Sequence, residues 1–360
     1  MKVALVYDRI NKWGGAEQIL LSLHEIFPEA PIFTSVYDAK NASWAKVFRN
    51  INTSFLQKVP LARGHHEYFA ALMPMVFESL DFTGYDLVIS VTSEAAKGII
   101  VKPPTRHICI CLTPTRYLWS GFNVYFENRL LRLVSYPVVW YLKKWDKIAA
   151  QRPDEFIAIS KEVQRRIKYY YQRDSEIIYP PVDLEKIEKF VRKDVSKKDY
   201  YLLVSRLVSY KRIDLAIKAF NKLGKKLYIV GGGTLSRKLR LISNKNISFY
   251  GIVSQKRLIE LYRGAKALIF PQEEDFGIVS VESQLLKTPV IAYKKGGSLD
   301  TVIESKTGIL FEKQTVDSLV NAVKKFEKQN FLYQDLITNA KKFGKDQFKE
   351  RILRILNKNV

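Results

Sequence analysis

The chain has 360 residues, 47% of them hydrophobic, which is more than one ordinary core needs and implies two domains of roughly 150–200 residues each. With 59 Lys and Arg against 36 Asp and Glu, its formal charge of +23 attracts phosphate groups on nucleotides, nucleic acid or an anionic membrane leaflet. No apolar stretch reaches the length of a spanning helix, and the run at Met1–Asp8 is too short for a secretory signal, so the cytosol is the expected compartment.

In chain order, Lys2–Tyr7 reads as a strand and passes through a turn at Trp13-Gly14-Gly15. Ala16–Phe27 then has helical spacing through Ile19, Leu20, Leu23 and Ile26. Further strands are expected at Ala30–Ser35, Leu87–Ser90, Gly98–Val101 and His107–Cys111. Strands alternating with helices in this way imply a parallel sheet covered on both faces. Cys109 and Cys111 fall on one face of their strand, too far apart for an unstrained disulfide.

The segment Arg129–Trp145 mixes aliphatic, aromatic and basic residues, as an interfacial membrane segment does. Burial of its aromatics within the domain is the equal alternative, and Pro137 is expected to interrupt any single straight helix there. Phe156–Ile159 and Glu176–Tyr179 are two more strands, and Pro180-Pro181 marks the domain junction. A second series follows, with strands at Tyr201–Val204, Lys226–Val230, Ile247–Tyr250, Ala267–Phe270 and Val290–Ala292. Ile213–Phe220 has helical spacing, and the tail from Val316 reads as Lys-rich helices.

Four segments carry candidate chemistry. Gly14 and Gly15 lie where a strand passes into a helix, so backbone amides there can approach an anion; a tight turn is the plain alternative. Arg206 and Lys211 follow the strand Tyr201–Val204, and two cations five residues apart can clamp a diphosphate, Arg206 bidentately and Lys211 as a point charge; a solvated helix start in a Lys-rich chain is the plain alternative. Because no acidic cluster has magnesium spacing, these cations would neutralise the leaving group themselves.

Gly231-Gly232-Gly233 is again a strand-to-helix turn, able to let a nucleotide lie close to the backbone or to serve as a plain turn. The strongest signal is Pro271–Glu282. Glu274 falls in a turn and Glu282 one to two turns into the next helix, so one carboxylate can meet sugar hydroxyls and the other a ribose. Between them, the amides of Phe276, Gly277 and Ile278 open a helix whose dipole favours phosphate.

Together these residues resemble glycosyltransferase family 4, retaining enzymes of the α/β GT-B fold, over nearly the whole chain. The resemblance rests on Gly14-Gly15-Ala16-Glu17, Thr113-Pro114-Thr115-Arg116-Tyr117-Leu118-Trp119, Arg206 with Lys211, Glu274 with Glu282, Pro289-Val290-Ile291-Ala292 and Gly296-Gly297. The Thr113–Trp119 segment and Tyr179-Pro180-Pro181-Val182-Asp183 look most like bacterial O-antigen and capsule mannosyltransferases.

The resemblance implies two Rossmann-like domains with parallel sheets facing across a cleft, an acceptor domain over 1–180 and a nucleotide-sugar domain over 181–339. A terminal helix within 340–360 would pack back on the first. It implies that Arg206 and Lys211 hold the diphosphate, Glu274 the donor sugar and Glu282 the ribose, with Gly15 beside the phosphate-sugar end. The base would rest near Gly232 and Val253. Transfer would proceed on the front face with retention, needing no metal and no cofactor beyond the nucleotide-sugar co-substrate, with GDP-mannose the first choice and a UDP-sugar the second.

The implied acceptor is a glycan or polyprenyl-linked glycan in surface polysaccharide synthesis, at the inner face of an anionic membrane in the interfacial reading. Related enzymes carry histidine immediately before the Thr-Pro; here that position is Leu112, with His107 five residues earlier. Arg116, Tyr117 and Trp119 are candidates for the acceptor site, with core packing an equal reading for Trp119. Alternatives are a nucleotide-sugar epimerase on the same fold and a binding-only member. Nucleic-acid binding is disfavoured because the basic residues are dispersed and no recognition module is evident.

Overall fold

The computed structural model describes residues 1–122, 129–189 and 196–357. It divides into two compact units, Met1–Pro180 together with the chain from Lys349 on, and Pro181–Phe348.

The first unit is built on a parallel sheet of β1 (Val3–Tyr7), β2 (Ile32–Thr34), β3 (Ile51–Thr53), β4 (Leu87–Thr92), β5 (Arg106–Cys111), β6 (Glu155–Ala158) and β7 (Glu176–Ile177), in the order β3-β2-β1-β4-β5-β6-β7. Every residue of β1 and β4 is buried, as expected for strands covered on both faces. Register runs from Val3 opposite Leu87 to Tyr7 opposite Val91. Packed on this sheet are the helix Gly15–Ile26 and a core including Val6, Val76, Phe77 and Ile99. Cys109 and Cys111 are buried free thiols, and burial pushes Cys109 up to about 12.

The end of the chain belongs to this unit. Lys349 pairs with Glu25 at 2.6 Å, and Arg106 donates to the Ile355 carbonyl at 3.4 Å.

Two sequence expectations change here, and one strand is added. Gly98–Val101 is not a strand: Ala96–Gly98 is a single 3-10 turn that lies beneath the Trp145 ring, where any Cβ on Gly98 would come within 2.4 Å of it. A short apolar run cannot by itself distinguish a paired strand from a buried turn. β3 escapes the sequence because it is a three-residue strand with its middle residue, Asn52, exposed. Finally, Arg129–Ala149 is one helix that continues through Pro137. The carbonyl that Pro137 cannot satisfy belongs to Leu133, which is exposed, so water can take the missing bond.

The loops leaving β1 and β4 are bound by one side chain. Asp8 is buried, and its Oδ1 accepts from Thr92 Oγ1 (2.8 Å) and the amides of Ala95 (3.0 Å) and Ala96 (2.9 Å). Its Oδ2 accepts from the amides of Ser93 (2.7 Å) and Glu94 (3.1 Å). A carboxylate thus fills a nest of four amides that would otherwise attract an external anion.

Deeper in the unit, Lys97 and Asp146 form a buried ion pair at 2.5 Å. Asp146 also accepts from Thr115 (2.9 Å), Trp119 Nε1 (2.7 Å) and Tyr171 (2.8 Å), which fixes the Thr113–Trp119 segment to the helix behind it.

The second unit holds β8 (Tyr201–Val204), β9 (Leu227–Val230), β10 (Ile247–Gly251), β11 (Leu268–Phe270), β12 (Val290–Tyr293) and β13 (Gly308–Phe311), all parallel, in the order β10-β9-β8-β11-β12-β13. β13 was missed because it opens on a glycine at the sheet edge, with only three apolar residues after it. The helices Ile213–Leu223 and Val316–Phe326 cover one face through Ile217, Phe220, Leu319 and Val323.

Asp8→Ala removes the acceptor of four amides, of which only that of Glu94 keeps another, Thr92 Oγ1 at 3.0 Å, and costs about 3 kcal/mol or more, whereas Asp8→Asn retains part of the set. Chemical denaturation followed by a first-unit probe is expected to show a large fall in midpoint for Asp8→Ala and a smaller one for Asp8→Asn. An unchanged midpoint for Asp8→Ala would contradict this account of the loop.

Candidate functional site

In a doubly wound sheet the chain leaves the two central strands in opposite directions, and a crevice opens beyond their carboxyl ends. In the second unit those strands are β8 and β11, which share the registered pair Leu202–Leu268. The loop after β8 carries Arg206 and Lys211 and leads to β9; the loop after β11 carries Glu274 and leads to β12. Across this point Lys211 Nζ forms an ion pair with Glu274 Oε1, both side chains being less than one-fifth exposed. Two residues 63 positions apart are therefore joined beyond the carboxyl ends of the two strands at which the winding reverses.

The backbone explains why the loops sit as they do. Lys211 ends a 3-10 turn, Ser209–Lys211, and Arg206 is exposed, donating from Nη2 to the Tyr210 hydroxyl at 2.9 Å. The β8 loop is seated against the glycine turn after β9: Ser205 N donates to Val230 O (3.0 Å) and Leu207 N to Gly232 O (2.9 Å). Gly231 has φ +130°, and a Cβ on it would lie 1.9 Å from the Ser205 carbonyl. The glycine run thus lets two loops touch, which is how Arg206 and Lys211 are held at the sheet edge. Gly232 borders the Ile252 side chain, a neighbour of Val253 in the turn after β10.

The β11 loop is fixed in a similar way. Glu274 forms a parallel bridge with Gly296, and its carbonyl accepts from Gly297 N at 2.8 Å. The glycine pair at 296–297 therefore supports the carboxylate loop. Gly277, the N-cap of the helix Ile278–Leu285, has φ +90° and lies so close to Phe270 that a Cβ would come within 2.8 Å of its ring. Phe276 points inward, edge-on to Phe343 at 5.4 Å, so only its backbone is available to a ligand.

Glu282 lies on the same helix, next to buried Tyr262, whose hydroxyl donates to Oε2 at 3.4 Å. Burial raises Glu282 from 4.5 to about 6. A half-buried carboxylate with a single long hydrogen bond destabilises the fold, and such groups concentrate at functional sites.

Arg206, Lys211, Gly232, Val253, Glu274, Phe276, Gly277 and Ile278 thus occupy loops or a helix start beyond the carboxyl edge of one sheet, and Glu282 lies in the second turn of that helix. Gly14 and Gly15 belong to the first unit, at the start of its helix Gly15–Ile26. Beside them Glu17 is buried; its Oε1 accepts from Tyr7 at 2.8 Å, and burial raises its pKa. Trp119 is a structural anchor through its bond to Asp146. His107 is buried with Nε2 2.8 Å from Ser90 Oγ, and burial lowers it to about 3, so it is a neutral core residue rather than a replacement for a sugar contact at Leu112. Sequence reasoning missed Tyr262 and Asp146. Both lie inside helical patterns where a polar group has no visible partner.

Residues 185–343 match the family model of the Glycosyl transferases group 1. The match falls inside the second unit and spans β8 through β13. Among curated relatives, an uncharacterized glycosyltransferase of Methanocaldococcus jannaschii is 26% identical over 204 residues, covering 55% of this chain and 57% of that protein. The human alpha-1,3/1,6-mannosyltransferase ALG2 is 26% identical over 238 residues, 56% of each chain. The chain spans about half the length of these relatives. A solved structure of Anabaena HepE in complex with UDP-glucose superposes with a TM-score of 0.69 at 17% identity, over 99% of this chain and all of that one. The fold is the α/β GT-B type, two Rossmann-like units each with a parallel sheet.

Among the described residues no three His, Cys, Asp or Glu side chains converge as a metal site. The chemistry of the site is cationic and amide-based, with two carboxylates set beside it.

The raised pKa of Glu282 has a definite sign for stability. The folded chain holds this proton more tightly than the unfolded one, so stability falls as pH rises from 4.5 to about 6 and stays reduced above that, by up to about 2 kcal/mol. Glu282→Gln is therefore expected to melt higher than wild type at pH 7.5 and equally at pH 4. A variant that melts lower at both would show that the charge is compensated.

Proposed function

We propose that the protein is a glycosyltransferase that binds a nucleotide-diphosphate sugar at the β8–β11 crevice of its second unit. The observation that supports this most is the Lys211–Glu274 pair at the switch point. The family match over the same strands and the glycosyltransferase names of the relatives agree with it.

In the proposed mechanism Lys211 and Arg206 take the two phosphates. Lys211 exchanges Glu274 for a phosphate oxygen, and the released carboxylate turns to hydroxyls of the donor sugar. The backbone at Phe276–Ile278 adds the partial positive charge of a helix start. Glu282 accepts from the ribose, which replaces its weak bond with a strong one. The base lies over Gly232 and Val253. As the sugar–phosphate bond breaks, negative charge grows on the leaving diphosphate, and fixed cations stabilise it without reorganisation. The sugar is transferred to the acceptor hydroxyl on the same face the diphosphate leaves, with retention, and the diphosphate takes the hydroxyl proton. No protein nucleophile is required, nor a metal.

Mannose from GDP-mannose is the proposed donor, on the likeness of Thr113–Trp119 to bacterial mannosyltransferases and the mannosyl name of one relative. UDP-sugars are the second choice, since a fold neighbour was solved with UDP-glucose. The proposed acceptor is a glycan or polyprenyl-linked glycan.

Such an acceptor lies at a membrane, and no described helix is long and apolar enough to cross one. The helix Arg129–Ala149 offers a peripheral contact. Val139 and Leu142 bury one side, while Leu133, Val134 and Trp140 are respectively 72%, 77% and 51% exposed on the other. Lys144 sits 3.8 Å over the Trp140 ring, so cations flank the apolar face, as binding to anionic lipid requires.

A thermal-shift series with GDP-, UDP- and ADP-sugars, with and without magnesium, is expected to show stabilisation by one base without magnesium. Lys211→Ala and Glu274→Ala should each reduce turnover at least about 100-fold. Normal transfer by both variants would overturn the site. In liposome co-sedimentation, wild type should prefer anionic over neutral vesicles, and Leu133→Asp/Val134→Asp should lose that preference; equal binding to both vesicle types by wild type contradicts the membrane reading.

A further inference from the structure

The amino edge of the second sheet takes no part in the proposed donor site, and it holds a lysine among other cations. Residues 196–200 lead into β8; Ser196, Lys198 and Asp199 are exposed, while Lys197 is half-buried. The segment is strapped to the end of the helix Gln255–Gly264: Lys198 N donates to Gly264 O and Lys266 N to Tyr200 O, both at 2.8 Å. From this fixed backbone Lys197 Nζ donates to Thr288 Oγ1 at 2.6 Å, just ahead of β12.

Thr288 in turn donates from Oγ1 to the Tyr262 carbonyl at 2.6 Å. Its one proton is thereby committed, so towards Lys197 the hydroxyl acts only as an acceptor. A neutral amine there gives Thr288 one N–H and keeps its lone pair for another partner. Charge favours that neutral form. Arg263, in the last turn of the helix Gln255–Gly264, and Lys287, two residues past the helix Ile278–Leu285, both repel an ammonium at this position. The carboxylate two residues along, Asp199, is paired with Lys266 at 2.5 Å. Burial first, and then the two cations, lower Lys197 from 10.5 to about 7. At pH 7 about half of the amine is neutral, against roughly one part in three thousand at a pKa of 10.5.

We propose that Lys197 is a modification site, acylated directly by a compact acyl phosphate. The Nζ lone pair attacks the carbonyl carbon and a C–N bond forms. The C–O bond to phosphorus-bound oxygen breaks, and inorganic phosphate leaves with that electron pair. The nitrogen then loses one proton to water, which leaves a neutral amide. A dianionic reagent suits a place beside two cations, and a small one suits an amine that is partly covered. The product also removes a charge that Arg263 and Lys287 oppose. Lys197 lies at the opposite end of the strands from Arg206, Lys211 and Glu274, so acylation leaves the donor residues untouched.

The test incubates the full chain with acetyl phosphate between pH 6 and 9 and follows each lysine by peptide mass spectrometry. At pH 7 Lys197 is expected to acquire the acetyl group about tenfold or more faster than its exposed neighbour Lys198. Its rate should rise through a midpoint near 7 and level off above it. Lys287→Gln should raise that midpoint and slow acetylation of Lys197 about two- to threefold at pH 7, with the wild-type rate at pH 9. Equal rates at pH 9 show that the fold around Lys197 survives the substitution. Acetylation of Lys197 no faster than of Lys198 at pH 7, or a rate still climbing at pH 9, overturns the proposal. So does a Lys287→Gln variant that behaves as wild type at every pH. Acetyl-CoA at the same concentration should label Lys197 more slowly, and the reverse order would overturn the choice of an acyl phosphate.

Discussion

The second unit depends on an ion pair placed where its sheet changes direction. Lys211 and Glu274 come from loops that have no reason to meet except that β8 and β11 are neighbours with connections running opposite ways. Neither charge is well hydrated, and each is the other's reason for being tolerated at low exposure. A pair of this kind at low exposure adds little net stability, but it sets two groups of opposite sign beyond the switch point of the sheet. Preorganised charge is what a reaction with a departing diphosphate demands.

Around that pair, glycine does structural work that also shapes the site. Gly231 allows the β9 turn to touch the β8 loop, and Gly277 allows the β11 loop to cross over Phe270 into its helix. These contacts determine where Arg206, Lys211 and the start of the 278–285 helix sit. The turn reading and the ligand reading of the glycine runs are therefore not exclusive. The same close approach that rules out a side chain leaves backbone facing outward.

The two units solve the same topological problem differently. In the first, the amides beyond β4 are satisfied internally by Asp8, and the neighbouring Arg9–Glu94 pair is neutral as a whole. In the second, the corresponding edge presents cations and a helix start. The two edges thus differ in charge, although both come from parallel sheets of the same winding.

Much of this was legible in the sequence because parallel strands covered on both faces are apolar runs with few polar interruptions, as at Val3–Tyr7 and Leu87–Thr92, and because the acidic and basic residues of the second unit fall directly after such runs. Two of the edge strands were not legible, since Ile51–Thr53 and Gly308–Phe311 carry too few apolar residues to stand out. Nor were long-range partners: Asp8, Asp146 and Tyr262 are ordinary residues until the fold delivers amides, an ammonium and a carboxylate to them.

The most direct measurement is hydrogen–deuterium exchange of the intact chain with and without GDP-mannose or a UDP-sugar at saturating concentration. If the switch-point pair is the centre of the diphosphate site, amides in 205–211 and 274–279 slow together in the presence of the same ligand. Slowing confined to one of these loops, or found only elsewhere in the chain, would contradict the account.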